Sequence, residues 1–117
     1  MSVLERRRYY RTNVTDTWAH CVCDYASGRY AVADLSQSGV LISDGPMLSA
    51  DTQLRMQLHM PGGDPISLDG VVLRCDGSTN NSSQYAVKFG YLAEDEQERI
   101  QAFIVQKLIH ELSPVVL

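Results

Sequence analysis

The stretch from Leu54 to Met60 alternates without a break: Leu54, Met56, Leu58 and Met60 are apolar, Arg55, Gln57 and His59 are polar, and Pro61-Gly62-Gly63 ends the pattern. A period of two sustained over seven residues is a strand with one buried face. The rest of the chain repeats the theme, with strand signals and turn signals following each other at regular intervals, the rhythm of a small barrel or sandwich. A first strand is predicted from about Thr17 to Tyr25, Ala26-Ser27-Gly28 turns the chain, and a second runs from Arg29 to Asp34, making a hairpin. Leu35-Ser36-Gln37-Ser38 leads through Gly39 into a short strand, Val40 to Ser43, which Asp44-Gly45-Pro46 closes. Ile66 to Cys75 is the fifth predicted strand, with Gly70 as its candidate bulge. The polar run from Asp76 to Ser83 reads as a long hairpin loop, and Tyr85 to Gly90 returns as the sixth, with Tyr85, Val87 and Phe89 on one face and Ala86 and Lys88 on the other.

One strong helix follows, from Glu94 to Leu112. Ile100, Phe103, Ile104, Leu108 and Leu112 fall on one stripe, and acidic residues occupy the first turn, where the helix dipole favours them. Ser113-Pro114 stops it. Six strands and one terminal helix predict a mainly β domain: a six-stranded antiparallel β-barrel closed on one side by the helix. Residues 1–117 are expected to form this single domain, with 1–12 as an arginine-rich N-terminal arm, 13–92 as the barrel and 93–112 as the helix.

Composition narrows the function. With 117 residues, 44% hydrophobic and 21% charged, the chain has the makings of an ordinary globular core. No apolar run approaches the roughly 20 residues that span a bilayer, and the charged N-terminus does not resemble a signal peptide, so a cytoplasmic protein is expected. Cys21, Cys23 and Cys75 are an odd number, unsuited to a disulfide framework, and are expected to fill core space. A formal charge of −4 disfavours a general nucleic-acid binder. Its distribution is uneven: Arg6, Arg7, Arg8 and Arg11 hold four of the ten basic residues, whereas Glu94, Asp95, Glu96 and Glu98 gather near the other end.

That arginine cluster is the first candidate for chemistry. A guanidinium keeps its charge and presents a planar fork that matches phosphate oxygens or the O6/N7 edge of guanine. A solvated basic terminus accounts for the same residues. The second candidate is Asp34-Leu35-Ser36-Gln37-Ser38-Gly39. A carboxylate accepts from guanine N1 and N2, a serine hydroxyl donates to phosphate or base, and a glycine permits close backbone approach. An ordinary turn uses the same residue types.

Together the two features resemble the PilZ family, whose signature is RxxxR before a barrel and [D/N]xSxxG at the following strand turn. Here these are Arg7 to Arg11 and Asp34 to Gly39, in the right order, and the likeness extends through Val71-Val72-Leu73-Arg74, the strand at Tyr85 to Phe89 and the terminal helix. The resemblance implies a six-stranded barrel with a helix and a non-catalytic receptor for cyclic di-GMP. Arg7 and Arg11 would grip phosphates and guanine edges, Asp34 and Ser36 would read guanine, and Gly39 would admit the ligand close to the backbone. An arginine ahead of the pair, here Arg6, accompanies a stacked ligand dimer in that family, so two ligands per protomer are expected, with Arg8 in the same shell. Arg74, on the fifth strand, is the candidate for a further contact. Binding would order the arm and act in trans on an unidentified protein effector. The alternative is a ligand-independent PilZ-like scaffold in motility or secretion.

Other chemistry finds less support. His20, Cys21, Cys23 and Cys75 are zinc-ligand types, but a strand sends His20 and Cys21 to opposite faces and no CxxC knuckle occurs, so no metal is expected. A cysteine paired with His59 or His110 lacks a nucleophile elbow, and no enzyme is expected. Trp18, Tyr9 and Tyr10 are possible stacking surfaces for single-stranded nucleic acid, although Trp18 on the first strand is expected in the core or against the helix. An exposed helix face with Val105 and Ile109 offers a surface for a homodimer.

Overall fold

A computed structural model describes residues 11–14, 16–79 and 82–112. Seven strands precede one helix: β1 (Arg11–Asn13), β2 (Trp18–Val22), β3 (Ser27–Ser36), β4 (Gly39–Ser43), β5 (Gln53–His59), β6 (Ile66–Thr79), β7 (Ser82–Phe89) and α1 (Glu94–Leu112). All pairings are antiparallel, in the order β1-β3-β2-β5-β6-β7-β4, and a further pairing of β3 with β4 joins the ends. Strands β2 to β7 therefore form the expected closed six-stranded barrel. The short β1 lies beside β2 along the same edge of β3, and the step between them is bridged by Val14 N–H donating to Ala33 O and Val32 N–H donating to Thr17 O, both at 3.2 Å.

The alternation predicted for β5 is observed: Leu54, Met56 and Leu58 are buried, and Arg55 and Gln57 are exposed. Tyr85, Val87 and Phe89 of β7 fill the same core, as do Tyr30, Val32 and Leu35 of β3. The Tyr30 hydroxyl donates to Pro46 O at 2.6 Å, and its ring meets Tyr85 edge-on, centroids 6.4 Å apart. Burial of this kind raises its pKa above the usual phenol value. The helix keeps its predicted bounds. Ala93 N–H donates to Glu96 Oε1 at 3.1 Å and Gln97 Nε2 donates to Leu92 O at 2.9 Å, so orphaned backbone groups at its start are satisfied. Ile100 and Ile104 are fully buried, Phe103 and Leu108 pack beside them, and α1 lies against β1 and β3.

Four local expectations change. Strands β6 and β7 continue through much of the predicted 76–83 loop, with Thr79 opposite Ser82. Backbone pairing needs no apolar periodicity, so a polar hairpin leaves no strand signal. Gly70 is not the bulge. It is buried where an added Cβ would stand 2.7 Å from Val87 Cγ1, and the register shifts fall between Val72 and Arg74 and between Asp76 and Thr79. Trp18 is not in the core: it is half-buried on the outer face, stacked on His59 with centroids 3.7 Å apart, with the Arg29 guanidinium 4.0 Å from its centroid. Of the cysteines, Cys21 is buried in the core and half-buried Cys23 packs against it, whereas Cys75 is exposed and does not fill the core as expected.

Candidate functional site

Two bulges decide which side chains share the outer wall. In β3 the inward residues are Tyr30 and Val32, so strict alternation would send Asp34 inward too. The register instead shifts between Val32 and Asp34, after which Leu35 is buried and Asp34 is half-exposed. In β6 the inward residues include Leu68 and Val72, and the shift between Val72 and Arg74 likewise turns Arg74 outward. The corrected registers pair Asn13 with Asp34, Asp34 with Leu41, Leu41 with Ala86 and Ala86 with Arg74. Asp34 and Arg74, 40 residues apart in sequence, thus lie on one row across neighbouring strands.

Beside that row sits the turn from Ser36 to Gly39. The Ser36 hydroxyl accepts from Gly39 N–H at 3.1 Å and donates to Gly39 O at 3.2 Å, and the Ser38 hydroxyl lies 3.5 Å away. Such a side chain fixes the turn by satisfying its backbone locally. The need for glycine at 39 comes from β7: an added Cβ would stand 2.5 Å from Val87 O. Ser38 O accepts from Phe89 N–H at 2.8 Å, which ties the turn to that strand.

Row and turn line one concavity of about 270 Å³, bounded by Asp34, Ser36, Ser38, Gly39, Leu41, Leu73, Arg74, Ala86 and Lys88 among others. Four residues expected from the sequence, Asp34, Ser36, Gly39 and Arg74, therefore meet there. Arg11 enters β1 opposite Ser36, so its backbone is one strand away. The expectations for Arg6, Arg7 and Arg8 lie outside the described residues, as does the side chain of Arg11. Lys88 lines the pocket and was not among the candidates. The signal was present, since Lys88 alternates with Val87 and Phe89 and must face outward. Nothing in the sequence said that β7 lies next to β4.

The other candidates do not assemble. Among the described residues no three His, Cys, Asp or Glu side chains are placed to hold a metal ion. The Cys21 thiol is pushed up to about 12 by burial, with a smaller effect from neighbouring Cys23, the opposite of what a nucleophile needs. No helix among the described residues is long and apolar enough to cross a membrane.

Comparison with known proteins adds to this geometry. Residues 5–106 match the PilZ domain family. No curated protein matches the sequence. Among solved structures, the inhibitor of motility MotI/DgrA from Bacillus subtilis superposes with a TM-score of 0.80 at 17% identity, over 91% of this chain and 53% of that one. The MrkH–c-di-GMP complex of K. pneumonia gives 0.77 at 21% identity, covering 92% and 54%. The PilZ domain of YcgR from Escherichia coli, with c-di-GMP, gives 0.68 at 15% identity, covering 94% and 99%. At these identities the likeness is one of fold, and the chain spans about half the length of the first two.

Proposed function

The chain belongs to the PilZ family, and on that footing we propose that it is a receptor for cyclic di-GMP, which it binds between its N-terminal arginines and the barrel wall around Asp34 and Arg74. A PilZ domain is a receptor module and not a catalyst. The observation that carries the reading is the ladder of β1 on β3, in which Arg11 faces Ser36 and Asn13 faces Asp34. Two motifs that are separate in sequence are rungs of one sheet. Two of the similar structures hold c-di-GMP on this fold, which supports the choice of ligand.

In this reading Arg6, Arg7, Arg8 and Arg11 take phosphates and guanine O6/N7 edges. Asp34 accepts from guanine N1 and N2, and Arg74 reaches the ligand from the far end of the row. The concavity of about 270 Å³ is smaller than the roughly 300–1,000 Å³ of sites that enclose a small molecule. The wall is then one side of the site, and the arm closes the other. Arg6 adds the cation that a second, stacked ligand requires, for a stoichiometry of two. Closure of the arm changes the surface offered to a protein effector, an order-disorder switch.

Calorimetric titration with cyclic di-GMP tests this. Binding with two ligands per protomer is expected, and Arg7→Ala and Arg11→Ala should each weaken it at least tenfold, since a charge-assisted hydrogen bond contributes about 1.5–3 kcal/mol. No binding at tens of micromolar by a folded sample would overturn the receptor reading, and a stoichiometry of one would overturn the role of Arg6.

A second reading, a ligand-independent scaffold, draws on the turn itself. Ser36 and Gly39 each have a structural reason to be present, in the hydrogen bonds to Gly39 and the approach of Val87 O. Effector binding that survives an Arg7→Ala, Arg11→Ala double variant and ignores the nucleotide would favour this reading.

A further inference from the structure

The outer wall carries a second row next to the one through Asp34 and Arg74. Arg11 faces Ser36, Ser36 and Gly39 flank the turn, Gly39 faces Lys88, and Lys88 faces Val71. The order of strands along it is β1, β3, β4, β7. With neighbouring strands about 4.8 Å apart, Arg11 and Lys88 are about 14 Å apart measured along the curved sheet, on either side of the turn.

Three observations single out Lys88. It points outward between buried Val87 and Phe89 and is exposed. Its row neighbour towards the pocket is Gly39, and both line the concavity that also holds Ser36 and Asp34. Finally, no described residue holds the Lys88 side chain in a salt bridge or hydrogen bond, whereas Lys107 is held by Asp16 and Arg55 by Asp69. A cation lining this pocket without a partner among the described residues is placed to meet an anion.

We propose that Lys88 is a ligand-binding residue, the barrel-borne cation that meets a phosphodiester of the cyclic dinucleotide from the side opposite the arginine segment. This rests on the receptor reading above. A lysine ammonium is a compact charge on a four-carbon stem with three donors, suited to a phosphate oxygen whose position shifts as a second ligand stacks. Asp34 is left to read the base. The two charges of the cyclic ligand are then met from two sides, by residues of the N-terminal segment and by Lys88. A nucleotide with a single phosphate engages one side only, so Lys88 also contributes to selection of the cyclic dinucleotide.

Titration of cyclic di-GMP into the unmodified protein and into Lys88→Met, Lys88→Arg and Arg55→Met tests the assignment. Lys88→Met is expected to bind about tenfold more weakly or worse, Lys88→Arg within about threefold, and Arg55→Met, which removes the same charge outside the pocket, unchanged. Thermal melting should not move for Lys88→Met, since the side chain is exposed. Binding by Lys88→Met within twofold of the unmodified protein would overturn the proposal and leave the receptor reading intact. Equal losses in Lys88→Met and Arg55→Met would overturn it too, by tracing the effect to net charge. No binding by the unmodified protein would instead remove the receptor reading itself.

Discussion

Replacing Gly39 by alanine sets two opposed effects against each other, and the geometry decides between them. An alanine in a strand ordinarily stabilises by about 0.4–1 kcal/mol, because it restricts the unfolded chain more than glycine does. At this position its Cβ would stand 2.5 Å from Val87 O, with Val87 C and Lys88 Cα at 3.5 Å. A carbon meets a carbonyl oxygen at about 3.3 Å or more, so β4 and β7 must separate by about 0.8 Å. Both are backbone in a closed barrel, with no flexible side chain to swing aside. The hydrogen bond from Phe89 N–H to Ser38 O, now 2.8 Å, would open to about 3.6 Å and be lost. Overpacking costs roughly 1–3 kcal/mol and the lost bond about 0.5–1.5, so with the alanine gain set against them the net destabilisation is about 0.5–4 kcal/mol. For a domain of this size that lowers the melting temperature by roughly 2–16 °C. Thermal and urea denaturation without ligand measure it, with Gly90→Ala as the control, since the nearest atoms to a Cβ there are at 3.3–3.7 Å and its loss should be smaller. Gly39→Ala melting at or above the unmodified protein would refute the reasoning and return Gly39 to a purely ligand-facing role.

Three further predictions follow from neighbouring features. Ser36→Ala removes both bonds to Gly39 and should cost about 1–2 kcal/mol in urea without any ligand; an unchanged midpoint would show that the hydroxyl does not hold the turn. The Lys107 ammonium donates to Asp16 Oδ2 at 2.7 Å and holds that carboxyl below its ordinary 3.8. A carboxyl lowered by folding adds stability above its unfolded pKa and loses it as pH falls through the folded value, so Lys107→Met should cost at most about 1 kcal/mol at pH 7, for so exposed a pair, and progressively less as the carboxyl protonates in acid; a difference that does not shrink in acid would assign the loss to packing on Phe103. Iodoacetamide at pH 8 should modify exposed Cys75 first and spare buried Cys21 while the protein is folded, as peptide mass mapping would show; equal rates would contradict the burial of β2.

What the sequence disclosed, and what it hid, divides along the reach of local pattern. Leu54 to Met60 and the helix at Glu94–Leu112 each carry their own period, and their placement could be read one element at a time. Asp34 and Arg74 were found as chemistry but not as neighbours. In each case a bulge, after Val32 and after Val72, inverts the face that alternation assigns, and no residue type marks the inversion: Ala33 and Leu73 are unremarkable strand residues, while the glycine that resembled a bulge, Gly70, answers a packing demand from Met56 and Val87. Trp18 was misplaced because a large aromatic is worth most when buried; its partners on the outer face, Arg29 and His59, come from two other strands. Lys88 was hidden for the same reason, its meaning depending on the pairing of β4 with β7.

The three rungs of β1 have a mechanical consequence. Beyond Ala33, Arg11–Asn13 are the only described residues that pair with this edge of β3, and the break between Val14 and Thr17 separates those rungs from the longer ladder of β2. A short ladder at the rim opens at a lower free energy than the barrel behind it. In hydrogen exchange the amides of β1 should accordingly come free as a group, well before those of β2 and β5. The rungs of Arg11–Asn13 are fastened like the end of a zip: they can part from Asp34 and Ser36 while the backbone ladders that close the other six strands into a barrel stay paired.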